Sequence, residues 1–266
     1  MIITGLFFLA LISLALGSVV GAVKMVLVRH VIQSFVIVIV VFVLAAAFEV
    51  TLLLMLRSQV PSYKKFWNAQ SQPTSNQLVY VALGDSAAQG IGASSPNSSY
   101  VKLLAANMES QTGRQVHIIN LSSSGAKLHD LIGSQIPKLH GLRPNIVTVD
   151  IGANDIAAGT SQHTMLQEYS QAINALSPYP VVFANLPDFM WGTQQRNTVV
   201  LNKTIRTLCE QHGLQLADLH YMTHQKMWNL NEFAADAFHP SNTGHHTWAA
   251  AFIPGTDHLL QAITGN

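Results

Sequence analysis

The chain has 266 residues, 49% hydrophobic and only 10% charged, against about 25% charged in ordinary soluble domains, which points to a part that sits in lipid. Charge is unevenly split: residues 1–77 carry five Lys/Arg against Glu49, a net +4, and residues 78–266 carry nine against twelve Asp/Glu, a net −3. A mildly acidic C-terminal part offers no electrostatic footprint for nucleic acid, and the single cysteine, Cys209, excludes an intrachain disulfide framework and a Cys-rich zinc site.

Two apolar runs open the chain, Ile2 to Val23 and Val31 to Leu56. Each is long enough to cross a hydrocarbon core, which needs about 20 helical residues. A cleaved signal peptide competes for the first run, but no Lys or Arg precedes it and no clean small-x-small cleavage site follows. The expectation is a membrane anchor over 1–57 with two spans, about 2–23 and 31–56, and Glu49 at the interface. Lys24 and Arg29 lie between the runs, and Arg57, Lys64 and Lys65 lie beyond them, so the positive-inside rule does not choose a side. The polar, charge-poor stretch Asn68 to Gln77 suits an exposed spacer. Residues 58–77 are therefore read as a linker and the remainder as extracytoplasmic, with the cytoplasmic side kept open.

From Leu78 onward short apolar runs alternate with helical patterns in βαβ rhythm, which predicts one domain over 78–266 with a parallel sheet and helices on both faces. Candidate strands are Val79–Leu83, Val116–Leu121, Ile146–Ile151, Val181–Asn185 and Leu214–Leu219. Helical patterns fall near Tyr100–Gln111, Ala126–Leu139, Met165–Leu176, Asn197–His212 and Thr243–Ile263. Cys209, spaced from Ile205 and Leu201 on the fourth of these, reads as core packing.

Ligands in open α/β sheets bind outside the carboxyl ends of the strands, so the residues after each strand carry the functional reading. Gly84-Asp85-Ser86 ends the first strand, Ser122-Ser-Ser-Gly125 follows the second, Gly152-Ala-Asn154-Asp155 follows the third, and Asp236-Ala-Phe-His239-Pro240 lies near the C-terminus. Taken alone, Gly-Asp-Ser is equally a turn with a helix cap. Together the blocks supply the parts acyl transfer needs: a serine nucleophile, a His base with an Asp three residues before it, and amide donors.

In that order and spread over nearly all of the C-terminal domain, the four blocks resemble the GDSL or SGNH hydrolases, named for their Ser, Gly, Asn and His. The resemblance implies a three-layer α/β/α sandwich on a parallel, flavodoxin-like five-stranded sheet. It also implies a catalytic triad Ser86, Asp236, His239 and an oxyanion hole made of the N–H groups of Ser86 and Gly125 and the Asn154 amide. Asp85 and Asp155 then read as structural, bonding loop N–H groups. The membrane region falls outside the resemblance.

No cofactor is called for, and no metal. His245 and His246 with Asp236 suggest a metal cluster at first sight, but neighbouring residues on a helix point about 100° apart. Phe189 and Trp191 after the fourth strand, and the Met222–Trp228 stretch, read equally as an acyl-binding wall or as packing. The expected function is a membrane-anchored serine esterase whose partners are membrane lipid and an ester substrate, either an acyl lipid, an acetylated glycan or a small acyl ester. Acyl transfer to a surface polysaccharide with the same site, and a non-catalytic binding module on a hydrolase fold, are the competing readings.

Overall fold

A computed structural model describes residues 28–69, 73–74, 76–188, 192–226 and 228–265, the side chains of 28–34 and 192–197 excepted. The first expected span, about 2–23, lies outside them. The chain divides into two compact units, one made of the residues up to Ser58 with Ala235–Phe238, the other of Gln59–Ala234 with His239–Asn266.

Helix α1 is Val28–Asn68. In the first unit it exposes Phe35, Ile37, Leu44, Phe48, Leu54 and Met55, and the helix is long and apolar enough from Phe35 on to cross a membrane. Its far end corrects the expected linker. The helix does not stop at Leu56 but continues through Pro61 to Asn68, because Tyr63, Phe66 and Trp67 recur at helical spacing and form a stripe that can be buried. Tyr63 and Trp67 are only 6% and 5% exposed, packed on the second unit to which they belong.

The second unit then runs β1 (Leu78–Gly84), α2 (Ser86–Gln89), α3 (Tyr100–Thr112), β2 (Val116–Asn120), β3 (Ile146–Asp150), α4 (Ala153–Ala157), α5 (Gln162–Leu176), β4 (Val181–Ala184), α6 (Gly192–His212), β5 (Gln215–Ala217), α7 (Leu219–His224) and α8 (Asn242–Thr264). All pairings are parallel, in the order β2-β1-β3-β4-β5, the doubly wound arrangement that puts a switch point between β1 and β3. The stretch expected as one helix over Ala126–Leu139 is broken into a helical turn, a π turn and a 3₁₀ turn. Gly133 and Pro137 inside it explain the break, since Gly is the weakest ordinary helix former and Pro removes a helical donor.

Strand alternation builds two cores. Val81 and Leu83 face one side with Leu128, Leu131, Tyr169, Leu201, Ile205 and Cys209. Tyr80 and Ala82 face the other with Trp67, Tyr100, Leu104, Trp248 and Phe252. Both faces of β1 and β3 are covered, which is why these strands read as continuous apolar runs rather than alternating ones. Cys209 is 1% exposed and burial pushes its thiol up to about 12, so it packs and does not react.

Candidate active site

β1 ends where a side chain has no room. A Cβ on Gly84 would lie 2.1 Å from the Asp150 carbonyl oxygen, and its φ is +141°; glycine alone lets β1 and β3 meet this closely and turn. The Asp85 N–H donates to Asp150 O at 3.2 Å, and Asp85 Oδ1 accepts from the Ala87 N–H at 3.0 Å, capping α2. Ser86 is therefore the first residue of a helical turn, 3% exposed. Its own N–H has no protein partner among the described residues.

The far component comes from 153 residues later. His239 Nε2 lies 2.8 Å from Ser86 Oγ. The His239 backbone is held by Ala234 N–H donating to its carbonyl at 2.8 Å and by the Phe233–Pro240 bridge. Ser241 caps α8 immediately after, accepting from Thr243 N–H at 3.1 Å and Gly244 N–H at 3.3 Å. Gly92 seats the His239 segment, since a Cβ there would come within 2.2 Å of Pro240 O and 3.1 Å of His239 Cβ.

The loop after β2 brings Gly125 to the same edge. Ser123 N–H donates to Gly84 O at 3.1 Å and Ser124 N–H to Gln89 Oε1 at 2.9 Å. Gly125 follows at φ +81° with open space where a Cβ would stand; its N–H also lacks a protein partner among the described residues. Asn154, in α4, donates from Nδ2 to Asp85 Oδ2 at 3.2 Å and to Ala126 O at 3.0 Å, so both of its amide protons are engaged inside the protein. Asp155 Oδ2 accepts the Leu128 N–H at 3.1 Å, as the structural reading of that residue expects.

Asp236 belongs to the first unit, where its Oδ1 accepts from the Phe238 N–H at 3.0 Å. Phe189 and Trp191 lie outside the described residues. In the Met222–Trp228 stretch, Met222 packs on the core that holds Trp248 and Trp228 is 71% exposed. The adjacent histidines part company: His246 is exposed, whereas His245 is fully buried, with Nδ1 accepting from Tyr100 N–H and Nε2 donating to Ile91 O, both at 3.3 Å. Burial lowers its pKa to about 4, so it is a neutral structural strut.

Three supports had little or no sequence signal. Gln135 brackets Gly84 with two 2.8 Å bonds, accepting from its N–H and donating to its carbonyl. The end of α1 clamps the loop after α2: Trp67 Nε1 donates to Gln89 O at 2.9 Å, Tyr63 Oη to Ala93 O at 2.7 Å, and Gln89 Nε2 to Val60 O at 3.0 Å. Asp150, under the Ser86 turn, accepts from Trp248 Nε1 at 3.1 Å. Burial pushes Asp150 up to about 7, and burial, with Asp150 as a neighbour, raises Asp85 well above the carboxylate range.

This sets a pH expectation. Unfolded, Asp150 loses its proton near pH 4; folded, it keeps it until about pH 7. The folded state binds more protons over that window, so Asp150's contribution to stability falls as pH rises from 4 to 7 and levels off above. Asp150→Asn keeps an acceptor for Trp248 and is expected to be more stable than wild type at pH 8 by roughly 2–4 kcal/mol, with the difference shrinking toward pH 5. His245 acts in the opposite sense between about pH 6.5 and 4 in both proteins and cancels from the comparison. Denaturant midpoints of the two proteins at pH 5 and pH 8 measure it.

The model of the GDSL-like lipase/acylhydrolase family matches residues 82–247, well over half of the chain. Among curated proteins none matches. Solved structures do. An α/β hydrolase enzyme, LAE5, from the metagenome of Lake Arreo, Spain, is 22% identical over 70% of this chain and 98% of its own, with a TM-score of 0.59. The psychrotrophic esterase EstA from Pseudoalteromonas sp. is 18% identical over 69% and 98%, with a TM-score of 0.55. A variant of Axe2, an acetyl xylan esterase from Geobacillus stearothermophilus, is 18% identical over 67% and 94%, with a TM-score of 0.56. At such identities the likeness is one of fold.

Proposed function

The chain belongs to the GDSL-like lipase/acylhydrolase family and is an ester-hydrolysing enzyme; from that premise we propose a membrane-anchored serine esterase that works through an acyl-enzyme on Ser86. The observation that carries this reading is the 2.8 Å approach of His239 Nε2 to Ser86 Oγ. A serine hydroxyl is a weak nucleophile unless its proton leaves as it attacks, and an imidazole at hydrogen-bond distance is the group suited to take it near neutral pH.

In the proposed sequence Ser86 Oγ attacks the ester carbonyl while His239 Nε2 receives the proton. The same nitrogen returns it to the departing alkoxide as the carbon–oxygen bond breaks. Water then repeats the attack with His239 again as base, releasing the carboxylic acid and restoring Ser86. Asp236 is assigned to hold the His239 Nδ1–H on the strength of its place three residues earlier in the sequence. The unpartnered N–H groups of Ser86 and Gly125 serve the oxyanion, and each such donor is worth about 3 kcal/mol. The Asn154 amide is assigned to the same task, for which its 3.2 Å bond to Asp85 must loosen as charge develops. A neutral Asp85, favoured by its raised pKa, competes weakly for that proton and adds no negative charge beside the oxyanion.

The apolar part of α1 is assigned as the anchor, with the catalytic unit extracytoplasmic and small acyl or acetyl esters as substrates. A two-part experiment tests the reading. Rapid-mixing kinetics on an activated acetyl ester should show a burst of alcohol release, and digestion of the quenched enzyme should place the acetyl group on the peptide bearing Ser86. A membrane-impermeant fluorophosphonate should label intact cells as fully as lysed ones. An acyl group found elsewhere rejects the chemistry, and labelling only after lysis rejects the sidedness.

A further inference from the structure

Behind the nucleophile turn, beside the edge strand β2, the second unit contains a cavity that the ester chemistry does not use. It encloses about 180 Å³ and is lined by Lys64 and Trp67 from α1, Ser122 and Ser123 from the loop after β2, and Gln135 and Lys138 from the broken helical stretch, with further polar neighbours. Its volume equals about six waters at roughly 30 Å³ each, room for a tetrahedral oxyanion and a small organic attachment. No acidic residue lines it, and neither Lys64 nor Lys138 pairs with a carboxylate among the described residues.

Lys64 and Lys138, exposed lysines from different elements, both line this polar cavity, and with no carboxylate in the lining they give it a positive balance suited to an anion. Lysine serves phosphate as a point charge; of the lining serines, Ser122 donates its hydroxyl to Asn120 Oδ1 and Ser134 to Asp130 O, so the Ser123 hydroxyl is the neutral donor that a phosphate oxygen accepts from. The lining is also tied to the catalytic turn. Gln135 brackets Gly84, Ser123 N–H donates to the Gly84 carbonyl, and Trp67 holds the Gln89 carbonyl. We propose that this cavity binds a phosphate group, free or as a phosphate ester, between Lys64 and Lys138.

The proposal is read by binding alone and stands apart from the hydrolase reading; a Ser86→Ala chain is expected to bind phosphate like wild type. The test titrates inorganic phosphate into the full chain in a non-ionic detergent, at ionic strength held constant with chloride, by calorimetry. Saturable binding is expected, weakened roughly tenfold by Lys64→Ala or Lys138→Ala, as loss of one charge-assisted hydrogen bond implies, and abolished in the double variant. Lys65→Ala, an exposed neighbour that does not line the cavity, should leave it unchanged. A second arm places the chain in phosphatidylglycerol nanodiscs. Loss of inorganic phosphate binding there, restored in discs of a phosphate-free galactolipid, identifies the occupant as a lipid headgroup, and undiminished binding identifies a soluble phosphate. Absence of saturable binding in detergent overturns the proposal, as does binding that the double variant retains or that Lys65→Ala weakens equally.

Discussion

Ser86→Ala is expected to lower kcat on an activated acetyl ester by about five to six powers of ten, the loss seen when a serine-protease triad loses its nucleophile, and to abolish fluorophosphonate labelling. The fold should survive. Asp85, not Ser86, caps α2, and Gly84 remains bracketed by Gln135, so the variant should unfold within about 1 kcal/mol of wild type. His239→Ala should cost a similar factor, and the double variant little more than either single one, because residues that act as a unit do not add. Turnover that persists in the folded Ser86→Ala protein, or labelling that moves to another residue, would remove Ser86 from the chemistry. Partial additivity of the two losses would instead show that Ser86 and His239 act in separate steps, despite the 2.8 Å between them.

The parts of this site that were legible in the sequence are those written in local pattern. Ser86 stands at the end of a β-branched run, Gly125 and Asn154 follow comparable runs, and parallel strands in one sheet place their carboxyl ends on one edge. The pairing of Ser86 with His239 across 153 residues followed from motif order rather than from any local signal. What stayed hidden depends on tertiary context. Gln135 shares a stripe with Leu128, Leu131 and Leu139, all three fully buried, and a polar residue on such a stripe was a clue to a buried hydrogen-bonding task; nothing in the sequence said that Gly84 was the partner. Strand ends shifted by a residue or two because the last apolar side chain and the last ladder hydrogen bond need not coincide. The end of α1 was read as linker because its polar residues outnumber its apolar ones, although Tyr63, Phe66 and Trp67 already marked a face that would be buried.

That misread end of α1 leads to the second large expectation. A chain beginning at Gln77, one residue before the expected start of the domain at Leu78, should be several kcal/mol less stable than one beginning at Ser58, because burial of an aromatic side chain such as Trp67 is worth about 3–5 kcal/mol. It should also be a poorer catalyst. Trp67 and Tyr63 hold the carbonyls of Gln89 and Ala93, and between those two residues Gly92 packs against the His239 segment. Freeing the loop lets His239 drift from Ser86, and a misplacement of about 1 Å can cost a hundredfold in rate. Trp67→Ala in the longer chain should therefore lower kcat more than it raises KM. Tyr63→Phe, which removes one donor while Gln59 Nε2 still serves Ala93 O at 3.1 Å, should cost only about 1 kcal/mol of stability and little activity. Denaturant midpoints and steady-state kinetics on the two chains and two variants decide it. If the Gln77 chain matches the Ser58 chain in both, the last turns of α1 are a tether after all, and the support for the Ser86 loop must come from elsewhere: from Asn120, whose Nδ2 donates to Ala88 O at 2.8 Å, and from His245 and Gln135.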